Sequence, residues 1–256
     1  MARFDEYSAR YKTVRMERRD GILQVTLHTD GREMHWSSLS HSELPLAFQD
    51  IANDRDTRIV ILTGTGNEFL GPKSVPGVRY RLGVAGWDTI ISEGVQMLQN
   101  MLRIEVPMIS AVNGPATRHS ELALLCDIVL ASETACFHDS GHFENGQVPG
   151  DGVNIVYPLL LGLNRARYFL LMGQSIDAQE ALRLGLVNEV HPQDRVLPRA
   201  WQIAERLASH PMLQLRYTRR LLTEDLRRRM HEHLGYSLAL EALADQERPD
   251  RPADNA

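Results

Sequence analysis

Two runs without a polar face constrain this chain more than any other feature. Arg58–Thr63 (RIVILT) and Val106–Val112 (VPMISAV) are almost wholly apolar, as expected of strands buried on both sides of a sheet. Between them, Trp87–Ile104 repeats apolar residues at helical spacing: Ile90, Ile91, Val95, Met97, Leu98, Met101 and Leu102. A strand, a crossover helix and a second strand imply parallel pairing and an α/β fold. A third apolar strand, Asp127–Ala131, follows a short helical pattern at Ser120–Leu125.

The N-terminal part reads as a hairpin. Tyr11–Arg18 and Gly21–Leu27 flank an Asp20-Gly21 turn signal. Apolar spacing predicts a helix over Ser40–Asn53, with Ser40 or Ser42 as its cap. Gly64–Gly86, rich in Gly and Pro, is too long for a simple connection and reads as a functional loop or lid. From Asn154 onward strand signals fade, apart from Val187–Val190. Helical patterns cover Tyr157–Leu161, Arg165–Met172, Ala178–Leu184, Pro198–Ala208, Met212–Met230 and Leu234–Ala244. The shift in composition near Pro192–Pro198 suggests an α/β core over 1–195 and a helical region over 196–256.

Composition narrows the classes of function. The net charge is −5, which gives no basic patch for nucleic acid or an anionic membrane surface. No run approaches the roughly 18–20 apolar residues that span a bilayer, and the N-terminus lacks an apolar signal core, so a soluble cytoplasmic protein is expected. The two cysteines, Cys126 and Cys136, lie in apolar surroundings and read as buried thiols. The 10 histidines show no HxxxH or CxxC spacing, so no metal site is expected.

Phe137–Gly152 (FHDSGHFENGQVPGDG) is the stretch richest in chemistry. It joins a buried strand to a helical pattern, where polar loops commonly carry function. Gly146, Pro149 and Gly150 suit a turn that brings His142 and Asp151 together. A carboxylate on one imidazole nitrogen sets the tautomer and leaves the other free to take a proton. The plainer reading of Asp151 is an N-cap for the helix that follows.

Three stretches resemble the crotonase (enoyl-CoA hydratase/isomerase) superfamily: Ile59–Phe69, Pro107–Ser132, and Gly146–Gly152 followed by Leu184–Val190. The resemblance implies ββα units wound into a spiral, with C-terminal helices packing between subunits of a homotrimer or a dimer of trimers. The chain departs from the hydratase pattern at the thioester oxyanion hole. Arg118, His119 and Ser120 stand where that family carries glycines before Glu121, and Pro72 offers no N–H in the first oxyanion loop. His142 falls where hydratases carry their second catalytic glutamate.

These departures resemble the β-diketone hydrolase subgroup, the 6-oxocamphor hydrolase-like members. The matching residues are Trp36, His41, His119 within NGPATRHSE, His142, Asp151 within PGDG, and Glu241. The resemblance implies a cofactor-independent retro-Claisen hydrolase that cleaves a cyclic or bicyclic β-diketone to a keto acid. His142 and Asp151 would activate water, and His119 would hold the oxyanion. His41 and Glu241 would complete the catalytic set, while Trp36, Tyr80 and Glu121 would contact substrate. Glu121 could equally orient a histidine or cap its own helix, and Trp36 could simply pack. The alternatives are an acyl-CoA hydratase, isomerase or hydrolase, and a non-catalytic scaffold of the same fold.

Overall fold

The structure is a computed structural model that describes residues 2–71 and 82–247. After a short turn of helix, α1 (Phe4–Tyr7), come β1 (Val14–Arg19) and β2 (Ile22–Leu27), paired antiparallel. Asp20 and Gly21 both have positive φ, 52° and 79°, as a two-residue primed turn requires. Helix α2 (Ser38–Asn53) begins earlier than its apolar spacing indicates. Ser37 is its cap, and Ser40 closes a capping box as the third helical residue rather than acting as the cap itself.

Strand β3 (Ile59–Thr63), helix α3 (Val84–Arg103), strand β4 (Met108–Val112), helix α4 (Glu121–Leu124) and strand β5 (Ile128–Ser132) form the parallel part. Every residue of β3 and β4 is buried, which explains their unbroken apolar runs. A two-residue strand β6 (Cys136–Phe137) and a single turn of 3₁₀ helix at Phe143–Asn145 follow. Then come α5 (Val153–Leu161), α6 (Leu163–Leu171), β7 (Ile176–Asp177), α7 (Ala178–Leu184) and β8 (Glu189–His191). The last helices are α8 (Gln193–Ala208) and α9 (Met212–Asp245).

The main sheet has six strands in the order β1-β2-β3-β4-β5-β8, all parallel except β1. Strands β6 and β7 make a small antiparallel pair. On one face of the main sheet, Val196, Ala200 and Ala204 of α8 bury against Ile22, Ile59, Ile61, Ile109 and Leu130. The expected division between residues 195 and 196 therefore falls inside a helix that covers the sheet. The two C-terminal helical patterns are one helix of 34 residues, because the exposed polar residues His231, Glu232 and His233 continue α9 between them. Arg219 of α9 is buried and donates to Asp127 and to the Ile104 carbonyl, which pins the helix across the end of α3. Both cysteines are free thiols; Cys126 is buried and Cys136 half-buried. No helix among the described residues is long and apolar enough to cross a membrane.

Candidate active site

Three elements converge on one buried polar cluster. The loop after β6 supplies Asp139, His142 and Asp151, the α4 turn supplies His119 and Glu121, and α9 supplies Glu241. The loop is stitched to the α4 turn: the Ser140 amide and hydroxyl both donate to the Thr117 carbonyl. The Asn145 and Gln147 amides donate back to the His142 carbonyl, so the chain folds tightly around that residue. Gly146, at φ 72°, ends the 3₁₀ turn, and Gly152, at φ 107°, opens α5. Gly150 lies against the backbone of Ser237, one turn of α9 before Glu241; a Cβ there would sit 2.5 Å from the Ser237 carbonyl oxygen.

The His142 ring has carboxyl groups facing both nitrogens, one of them from a residue the sequence reading did not name. Nδ1 lies 2.5 Å from Asp139 Oδ1. Nε2 faces Asp151 Oδ2 at 3.5 Å and Glu241 Oε1 at 3.7 Å. The expected pairing of His142 with Asp151 is thus corrected in role. Asp139 makes the close contact at Nδ1, and Asp151 faces the other nitrogen, Nε2. Asp139 precedes His142 by three residues and lies on the same arm of the loop, so the search for a partner across the Gly146–Gly150 turn missed it. Asp151 does not cap α5 either, because Gly152 holds that position without a side-chain cap.

Asp151 bridges two imidazoles, since its Oδ2 also lies 3.1 Å from His119 Nδ1. The same nitrogen is 2.8 Å from Glu121 Oε1. Glu121 does not cap α4 through its side chain; Ser120 occupies that position. His119 has φ 48°, in the left-handed region where a side chain costs roughly 1–2 kcal/mol. The backbone here keeps a glycine-like path while carrying an imidazole. Trp36 stacks on the His119 ring at 3.8 Å between centroids, tilted by 35°. His41 meets the edge of Trp36 at 5.8 Å, and its Nδ1 lies 2.7 Å from Glu93 Oε2, a second carboxylate not foreseen from the sequence. Tyr80 and Pro72 lie outside the described residues.

The two imidazoles are driven to opposite protonation states. Burial pushes His142 down, but Asp151, the hydrogen bond and charge of Asp139, and Glu241 together raise it to about 10. His119 is lowered to about 3: burial outweighs the pull of Asp151, and Arg118, His41 and His142 add to the fall. Burial, with Asp151 as the nearest like charge, raises Glu121 well above the carboxylate range. Glu241 is raised to about 8, also chiefly by burial, against the opposing pull of His142. Glu121, Asp139, Asp151 and Glu241 each leave one buried oxygen without a hydrogen-bond partner among the described residues. Orphaned acceptors of this kind belong to a site that receives a polar ligand or water. His119, Glu121 and Asp151 also bring three ligand-type atoms within 4.8 Å of one another. Sequence spacing gave no sign of this metal-competent grouping, which only the fold assembles. A mostly apolar groove of about 620 Å³ is lined by Val148, Ile155, Leu159 and Leu240 together with Arg229 and His233, and by none of the cluster's residues.

A six-stranded mixed sheet, a long C-terminal helix and a polar cluster where they meet define a class. The Enoyl-CoA hydratase/isomerase family profile matches residues 17–246, and the chain belongs to that family, within the crotonase superfamily. Within it, a solved β-diketone hydrolase from the cyanobacterium Anabaena, bound to (S)-3-oxocyclohexyl acetic acid, is 46% identical to this chain. That similarity covers 94% of this chain and 97% of the Anabaena chain, at a TM-score of 0.92. A solved enoyl-CoA hydratase/isomerase from Mycobacterium paratuberculosis is 27% identical over 91% of this chain and 94% of its own, at a TM-score of 0.84. A probable peroxisomal enoyl-CoA hydratase of Arabidopsis thaliana is 31% identical, over 86% of this chain and 80% of that protein.

Proposed function

We propose that this protein is a cofactor-independent C–C bond hydrolase that opens a cyclic or bicyclic β-diketone to a keto acid by a retro-Claisen reaction. The observation that carries this reading is the held His142: Asp139 occupies Nδ1 and turns Nε2 toward Asp151 and Glu241. Neutral His142 takes a proton from water at Nε2, and the hydroxide adds to one carbonyl of the diketone. His119, backed by Trp36, holds the oxyanion that forms. The C–C bond then breaks, its electron pair moving into the second carbonyl as an enolate. His142 returns its proton to the enolate carbon, leaving a ketone and a carboxylic acid on one product, and the acid then ionises to solvent. The ligand of the Anabaena enzyme, a keto acid, has the functional groups such a cleavage leaves.

The high pKa of His142 shapes this mechanism. Before substrate binds, the ring is an imidazolium flanked by Asp139 and Asp151. An apolar diketone that displaces water makes that ion pair costlier. The proton on Nε2 leaves to solvent as the pH approaches about 10, and the freed nitrogen can then accept a proton from water. Replacing His142 with Ala is expected to lower the hydrolysis rate by about 10²–10⁴, the usual contribution of a positioned acid–base group. Acid release from 1,3-diketones is the assay, and retention of full turnover would remove the proposal.

The second reading, an acyl-CoA hydratase or isomerase, is favoured by the match of residues 17–246 to the Enoyl-CoA hydratase/isomerase family. Hydration of a crotonyl thioester without acid release from any diketone would establish it over the first. We further propose that the protein assembles as a homotrimer or a dimer of trimers. Exposed apolar residues on α9, among them Leu213, Tyr217, Leu221, Leu222 and Tyr236, support this.

A further inference from the structure

Two carboxyl groups compete for a single ring nitrogen, His119 Nδ1, with Glu121 Oε1 at 2.8 Å and Asp151 Oδ2 at 3.1 Å. A neutral imidazole has one N–H, and its position decides what the ring can do. If the proton sits on Nδ1, it is shared between the carboxylates and Nε2 is a bare lone pair. Such a ring repels a developing oxyanion. If the proton sits on Nε2, Nδ1 is an acceptor facing two carboxyl oxygens, and one of these must carry a proton to avoid lone pair against lone pair.

Burial selects which carboxyl that is. Glu121 is wholly buried, its second oxygen has no partner among the described residues, and Asp151 is its nearest like charge. Asp151 is less deeply buried and also faces His142 Nε2, at 3.5 Å. We propose that Glu121 is a positioning residue kept as the neutral acid, whose O–H donates to His119 Nδ1 and thereby fixes the Nε2–H tautomer of His119. The left-handed backbone of His119 and the stacked Trp36 hold the ring in the orientation this bond requires. In this role the glutamate moves no proton during turnover. Its consequence for catalysis rests on the hydrolase reading above, but the tautomer itself is readable without any substrate.

The experiment pairs two variants with a spectroscopic readout. In Glu121→Gln the amide N–H replaces the acid O–H as donor to Nδ1, so the tautomer survives. In Glu121→Leu the only partner left for Nδ1 is Asp151, so the ring proton moves to Nδ1. Nitrogen-15 NMR of His119, assigned against a His119→Ala control, is expected to show Nε2–H in the wild type and in Glu121→Gln, and Nδ1–H in Glu121→Leu. On a turned-over diketone, kcat is expected to stay within about tenfold for Glu121→Gln and to fall about 10²–10³-fold for Glu121→Leu, the loss of one oxyanion donor. Equal loss in both variants would mean that Glu121 acts as a charge or a proton carrier, and the proposal is overturned. An Nδ1–H or doubly protonated His119 in the wild type overturns it as well, whatever the turnover. The expected NMR pattern without diketone cleavage would uphold the role of Glu121 and reject the hydrolase reading, so the two failures are distinct.

Discussion

His142 is a strong base whose availability is set by its neighbours. Its folded pKa of about 10 lies above the ordinary 6.5, because Asp151 and Asp139 stabilise the cation more than burial disfavours it. In the free enzyme the neutral, water-activating form therefore grows with pH. The expected kcat/KM for diketone hydrolysis rises with pH and levels near 10. Replacing Asp139 with Asn removes one stabiliser of the cation and moves that limb to lower pH. A pH–rate series on both proteins checks this; a profile that falls toward alkaline pH would instead make His142 an acid or electrophile. The linkage has the same sign. The pair stabilises the fold fully below pH 6.5, and this contribution is lost as the pH rises through 10. Asp139 itself escaped the sequence reading for a local reason. Its contact is an i,i+3 pair inside an irregular loop, where no periodicity marks which side chains face each other.

At the level of elements, the site depends on how closely the Val148–Gly152 loop docks on α9. Gly150 has no room for a methyl group, because the Ser237 carbonyl lies 2.5 Å and Glu241 Cβ 3.0 Å from where its Cβ would stand. Gly150→Ala is expected to push α9 and Glu241 off the loop. The cost is roughly 1–3 kcal/mol of stability, as for other overpacked sites, together with reduced turnover. Thermal unfolding and the acid-release assay measure both; an unchanged melting temperature and rate would show that the contact yields freely. The elements themselves were legible to different degrees. The β1–β2 hairpin follows from Asp20-Gly21, and β3 and β4 follow from their apolar runs, since both signals are local. The α2 cap was misplaced because Ser37 and Ser40 act as a reciprocal pair. The break expected before Leu234 does not exist, since His231, Glu232 and His233 continue the helix. Gly235 disfavours a helix by only about 1 kcal/mol, which tertiary contacts of Leu234 and Leu238 offset.

For the whole molecule, the unpartnered apolar residues of α9 set the expectation for assembly. Leu221 and Leu222 are 79% and 74% exposed, and Tyr236 is 68% exposed. Large apolar side chains left this exposed along one helix support an interface there. Light scattering on the eluting protein is expected to give a mass of three or six chains, and a monomer at micromolar concentration would reject that assembly. What the sequence by itself determined was the α/β class, the family, and the identity of most of the polar residues that meet in the site. Those rest on short-range patterns: burial periodicity, turn chemistry and motif spacing. Only the tertiary structure decided which carboxylate serves which imidazole. Asp139 and Asp151 come from one loop, Glu121 from α4 and Glu241 from α9, and differences of 1 Å or less between 2.5, 2.8, 3.1 and 3.5 Å decide which carboxyl group makes the close contact to each imidazole. Such differences arise from how a loop, a four-residue helix and a 34-residue helix pack together, which no spacing along the chain encodes.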